Sequence, residues 1–97
     1  MGVKFNREYK EIVHDLAAAI GRIENSYEAF EMTAEEWNAQ EAPEQAECMR
    51  TLADDVFYGL GTSPSLEVGS GKIEYDAGNH LIKVRTQDNV VHLIKLI

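Results

Sequence analysis

Residues 7–32 read REYKEIVHDLAAAIGRIENSYEAFEM, and the spacing of their apolar side chains decides the fold class. Tyr9, Val13, Leu16, Ile20, Ile23, Tyr27 and Phe30 follow one another at alternating steps of four and three residues. That period places all seven on one side of an α-helix, so one helix is predicted from about Arg7 to Met32. Asn6 is the predicted N-cap, and Glu8 sits where a negative charge complements the helix dipole. Gly21 weakens the flank of the seam by about 1 kcal/mol relative to alanine. A lone helix with one apolar stripe is not stable in water, so the rest of the chain has to cover it.

The next segment supplies the cover. Thr33 and Glu36 have capping-box spacing, which predicts a short helical turn through Trp37. Pro43 stands where a further helix would begin. Ala46, Met49, Ala53, Val56 and Leu60 repeat the same steps, widened by Leu52 and Phe57. Gly59, Gly61 and Pro64 mark the stop. Two such helices joined by a bent connection read as an antiparallel hairpin.

Beyond Ser65 the period changes to two. Ile73 and Tyr75 alternate with Lys72, Glu74 and Asp76, and Ile82 and Val84 alternate with Lys83 and Arg85. Between them Asp76-Ala77-Gly78-Asn79 is a predicted turn, with Gly78 free to take positive φ. A second turn at Gln87-Asp88-Asn89 leads into Val90–Ile97, and Leu66–Val68 offers a short fourth strand. The expectation is one α+β domain over residues 1–97. Its helical half spans about 6–60, and an antiparallel three-stranded meander spans about 66–97.

The last strand conflicts with its predicted place. Val90, Ile94 and Leu96 lie on one face, and Val91, Leu93 and Ile97 lie on the other. Apolar residues on both faces suit a covered strand, yet a simple meander leaves this one at an edge. Another element, helices on both sides, or a second chain must then flank it. A homodimer or a protein partner through this strand is therefore one expectation.

The formal net charge of −8 is unevenly spread. Residues 1–65 hold five basic and thirteen acidic side chains, whereas residues 66–97 hold four of each. An acidic field repels nucleic acid and anionic lipid, so neither is an expected partner. The longest apolar run, Leu16–Ile20, is too short to span a bilayer. Met1–Lys10 lacks the apolar core of a signal peptide, and the single thiol, Cys48, suits a reducing compartment. The expected location is cytoplasmic.

No group of residues forms a recognisable catalytic or cofactor motif. Gly69-Ser70-Gly71-Lys72 resembles the end of a phosphate-binding loop. However, Leu66 replaces the first glycine, Ile73 replaces the hydroxyl residue, and a strand follows instead of a helix. A hairpin turn is the simpler expectation. His80 and His92 fall on adjacent predicted strands and are the one opening for a metal-dependent domain. Glu24, Glu28, Glu31 and Glu35 form an acidic stripe, as do Glu44, Glu47 and Asp54, and such stripes are ordinarily solvated helix faces. Trp37 either staples the bend between helices or anchors a partner at the surface.

The leading functional expectation is a small acidic non-catalytic interaction or regulatory module. Its surface would include Val91, Leu93 and Ile97, with Glu24, Glu28, Glu31 and Trp37 as further candidates. The alternatives are an acidic charge-mimic for a basic protein surface, or a metal-dependent domain using His80 and His92. No catalytic, cofactor-binding or metal residue is assigned.

Overall fold

The computed structural model describes residues 3–97 as α1 (Tyr9–Ile20), a 3-10 helix (Ser26–Phe30), α2 (Ala34–Asn38) and α3 (Ala42–Leu60), then four strands. The strands are β1 (Ser65–Val68), β2 (Gly71–Asp76), β3 (Leu81–Arg85) and β4 (Val91–Lys95), and they form one open antiparallel sheet in chain order. The α+β class is as expected. The strand number is not: Leu66–Val68 belongs to a full fourth strand that pairs with β2, Leu66 opposite Ile73.

The predicted long helix stops at Ile20. Gly21 closes α1, donating its N–H to the carbonyl of Ala17. Arg22 and Ile23 then bond back only three residues, and Asn25 takes a left-handed φ of 63°. The cause is tertiary. The Ser70 N–H donates to the Glu24 carbonyl at 3.1 Å, and Gln87 accepts from the Glu24 N–H at 2.9 Å. Two strand-connecting turns therefore hold the backbone of Glu24 out of the helix. The start differs too: Glu8 occupies the N-cap position, while Asn6 donates its N–H to the Leu96 carbonyl at 2.8 Å.

The other helix signals are met more closely. Thr33 and Glu36 form the capping box, with bonds of 3.2 and 3.1 Å. Pro43 lies in the first turn of α3, where its missing N–H costs nothing. The helical connection is longer than a simple hairpin, since residues 21–41 carry the 3-10 helix and α2. The two long helices nevertheless run antiparallel, because Tyr9 at the start of α1 meets Asp54 and Phe57 near the end of α3.

Both long helices pack on one face of the sheet. Ile12, Leu16 and Ile20 from α1 are fully buried with Ile73, Ile82, Val84 and Leu96, while Leu52, Ala53, Val56, Phe57 and Leu60 add the α3 side. The opposite face is read from the register. Its rows run Glu67–Lys72–Arg85–Val91 and Ser65–Glu74–Lys83–Leu93. Charge thus covers the outer face until β4 is reached.

The turn at Asp76 shows a further departure. Positive φ falls on His80 (55°), and Gly78 does not take it. Residues 77–79 form one 3-10 turn, and Asp76 caps it by accepting from the backbone and side-chain nitrogens of Asn79 at 3.2 and 2.9 Å. Lys83 adds an ion pair at 3.3 Å. The hydrogen bond from the Asn79 side chain, followed by the one from Lys83, holds the Asp76 carboxyl below its usual range. A lowered folded-state value means that the stabilisation is complete above the unfolded pKa of about 4 and fades as pH falls through the folded value. The Asp76→Asn variant is therefore expected to be less stable than wild type at pH 7. Urea unfolding should show that gap closing below about pH 4, and a gap independent of pH would contradict this assignment.

Candidate interaction surface

Among the described residues β4 pairs only with β3, in the register Val84 opposite His92 and Ile82 opposite Ile94. Its hydrogen-bonding phase follows from the two ends of the ladder. Thr86 donates to the Val90 carbonyl at 2.9 Å, and Leu96 donates to the His80 carbonyl at 3.0 Å. In an antiparallel pair the bonded residues alternate, so His92 and Ile94 also turn their backbone groups toward β3. Val91 and Leu93 turn theirs outward, to the open edge.

The side chains at the same positions are apolar and exposed. Val91 is 40% accessible, Leu93 56% and Ile97 59%, and Val90 at the start of the strand is 50% accessible. Ile94 and Leu96 point to the helices and are buried. The strand is thus covered on one face, where α1 packs against it, and among the described residues no other strand pairs with its outer edge. One end is closed by the chain itself. Asn6 and Arg7 both give their N–H to the Leu96 carbonyl, and the Arg7 guanidinium takes the Lys95 carbonyl at 3.2 Å.

The other candidate residues do not join this surface. Glu24 lies in the loop after α1, Glu28 in the 3-10 helix, and Glu31 closes that helix with a φ of 59°. All three are exposed, but the regular helical stripe predicted for them does not exist, because the helix ended at Ile20. Trp37 on α2 stacks against Phe30 at 6.2 Å and Tyr27 at 6.4 Å. It is half-buried there and staples the connection between the long helices.

His80 and His92 are not brought together. His80 stands opposite Leu96, whereas His92 pairs with Val84, four positions away along the ladder. At about 3.3 Å per residue the separation is roughly 13 Å, beyond the reach of one metal ion. Among the described residues no three His, Cys, Asp or Glu side chains gather as a metal site. Cys48 is half-buried on α3, where its thiol donates to the side-chain oxygen Oε1 of Gln40 at 3.6 Å. No helix among the described residues is long and apolar enough to cross a membrane.

Sequence reasoning missed a groove of about 820 Å³ between α1 and α3. Ala17, Ala18 and Ala46 leave it open, because alanine cannot fill the space between two helices. Near one end the Tyr9 hydroxyl donates to the Asp54 carboxylate. Burial of the ring and then this bond raise the phenol pKa well above its usual value. A hydrogen bond to a charged acceptor contributes about 1.5–3 kcal/mol, and this one is partly solvated. Tyr9→Phe is therefore expected to lose about 1–2 kcal/mol in denaturant unfolding at pH 7, and an unchanged midpoint would show that the bond contributes nothing. The stabilisation is complete below the unfolded pKa of about 10 and is lost as pH rises through the higher folded value.

No protein-family model matches the chain, and neither does any curated protein or solved structure. Fold and surface therefore define a class alone: an α+β domain with two long helices on one face of a sheet and an open apolar edge at β4.

Proposed function

We propose that this chain is a small non-catalytic interaction module that docks an extended strand along β4. The observation that supports this reading is the coincidence at Val91 and Leu93. Each presents outward backbone groups with no partner among the described residues and an exposed apolar side chain at the same edge. Free strand edges are ordinarily blunted by charge, proline or a bulge, because they template association. In β4 only Lys95 supplies charge, and it lies at the end that Arg7 closes. Strand addition uses main-chain hydrogen bonds for affinity and alternate side chains for specificity, and β4 offers both.

Affinity capture from the native cell with wild type and with Leu93→Lys tests the reading. Leu93 is exposed, so the substitution leaves the core intact, and it puts a charge where a docked strand would lie. The variant sets a lysine opposite Lys83, so it is expected to lose no more than about 1 kcal/mol of stability while losing the captured strand partner, a second copy of this chain included. Identical capture by both proteins would contradict the proposal.

A further inference from the structure

Resting on the reading of β4 as a docking strand, we infer that its occupant is a second copy of this chain. The two β4 strands pair antiparallel about a two-fold axis at His92. The length of open edge sets this register. Arg7 holds the outward Lys95 carbonyl, so among the described residues both outward backbone groups stay free only over the stretch Val91–Leu93. His92 is the middle of that stretch.

Hydrogen-bond phase agrees with the centre. Outward backbone groups belong to Val91 and Leu93, so only registers that place these residues opposite odd-numbered partners form bonds. With the axis at His92, Val91 faces Leu93 of the second copy and Leu93 faces its Val91. That pairing uses all four outward N–H and C=O pairs. Moving the axis to Leu93 calls on the Lys95 carbonyl that Arg7 already occupies. Moving it to Lys95 sets two lysines directly opposite, which is destabilising.

Charge agrees as well. The whole excess of acid belongs to residues 1–65, while residues 66–97 are balanced at four basic and four acidic. Two copies of an acidic chain therefore repel least through the sheet. In the proposed register Asn89 lies opposite Lys95 of the second copy, and Asp88 comes next to that lysine at each end of the ladder. Neither Asp88 nor Lys95 belongs to an ion pair among the described residues. Val91 and Leu93 from both copies then form one central apolar patch on the joined outer face. Such a short ladder buries little area, so the dimer is concentration-dependent.

Sedimentation and site-directed disulfide formation test the inference on the full chain. Wild type is expected to shift from monomer to dimer as concentration rises, and Leu93→Lys to stay monomeric. In a Cys48→Ala background, His92→Cys is expected to link two chains at least tenfold faster than Glu67→Cys on the opposite edge strand. Opposed non-hydrogen-bonded residues sit about 4.5 Å apart at Cα, within disulfide reach. A wild type that stays monomeric at every concentration, with linkage at 92 no faster than at 67, would overturn the second copy. In that event, capture of a different partner that Leu93→Lys abolishes leaves the docking strand standing, and capture that it does not abolish removes both.

Discussion

Gly69→Ala is expected to destabilise the protein by about 2–4 kcal/mol, measured by urea unfolding at pH 7. Gly69 opens the two-residue turn between β1 and β2 with a φ of +53°, and Ser70 after it does not share that conformation. Glycine at the first loop position is the requirement of a type II′ hairpin, whose twist matches the strands it joins. A side chain there meets two obstacles. The left-handed conformation costs about 1–2 kcal/mol for a residue with a Cβ. That Cβ would also stand 2.5 Å from the Asn25 carbonyl oxygen and 2.7 Å from that of Glu24. Both are backbone atoms, so the turn has to withdraw, and the Ser70 to Glu24 hydrogen bond at 3.1 Å is lost with it. Gly78→Ala is the control. Its Cβ would meet only the Asp76 carboxylate at 3.7 Å, an ordinary contact, and its φ is not positive. That variant is expected within about 0.5 kcal/mol of wild type. Equal losses at both positions would show that the account of the first turn is wrong.

Leu16→Ala is the second large effect, with an expected loss of about 3–5 kcal/mol. Leu16 is fully buried at the centre of α1, among the side chains that α1, α3 and the sheet share. Truncation removes transfer free energy and leaves a cavity whose walls belong to three elements, which limits their collapse. For a domain of this size each kcal/mol shifts Tm by about 4–8 °C, so calorimetry should register a fall above about 12 °C. Leu93→Ala provides the contrast, since the same side chain is 56% exposed there. It is expected to move stability by no more than about 0.5 kcal/mol. A mild Leu16→Ala variant would contradict the placement of α1 in the core.

Those two sites also show how far the sequence could be read. Val13, Leu16, Ile20 and Ile23 are buried as their spacing requires, because local period and tertiary burial agree there. Ile12 and Ala19 widen the stripe beyond the seam. Past Ile20 the same spacing persists through Tyr27 and Phe30 but no longer marks one helix. A 3-10 segment with three residues per turn keeps a similar rhythm, so pattern alone could not separate the two. Gly21 is the local mark of where the helix ends, but the contacts with Ser70 and Gln87 that hold Glu24 out of it come from far along the chain and have no local signal. The Thr33 capping box was legible because both partners are local. The left-handed residue after Asp76 was not, because the turn that Asp76 caps through Asn79 runs on and puts positive φ at His80, two positions beyond Gly78.

The interaction surface was legible in part. Apolar residues on both faces of the last strand were visible in Val90–Ile97, and so was their conflict with an edge position. Which groups face outward was not, since that depends on the phase of the ladder to β3. The acidic candidates failed for the same reason as the long helix. Glu24, Glu28 and Glu31 were given one face by a period that the backbone abandons at Gly21.

Residue-resolved amide hydrogen exchange along β4 tests the open edge most directly. In dilute protein, Val91 and Leu93 are expected to exchange at least a hundredfold faster than His92 and Ile94, which are bonded to β3, and to become protected once a strand docks. Val91 and Leu93 amides as slow as their neighbours in the dilute single chain would mean that the edge is already closed, and the proposed function would fall with it.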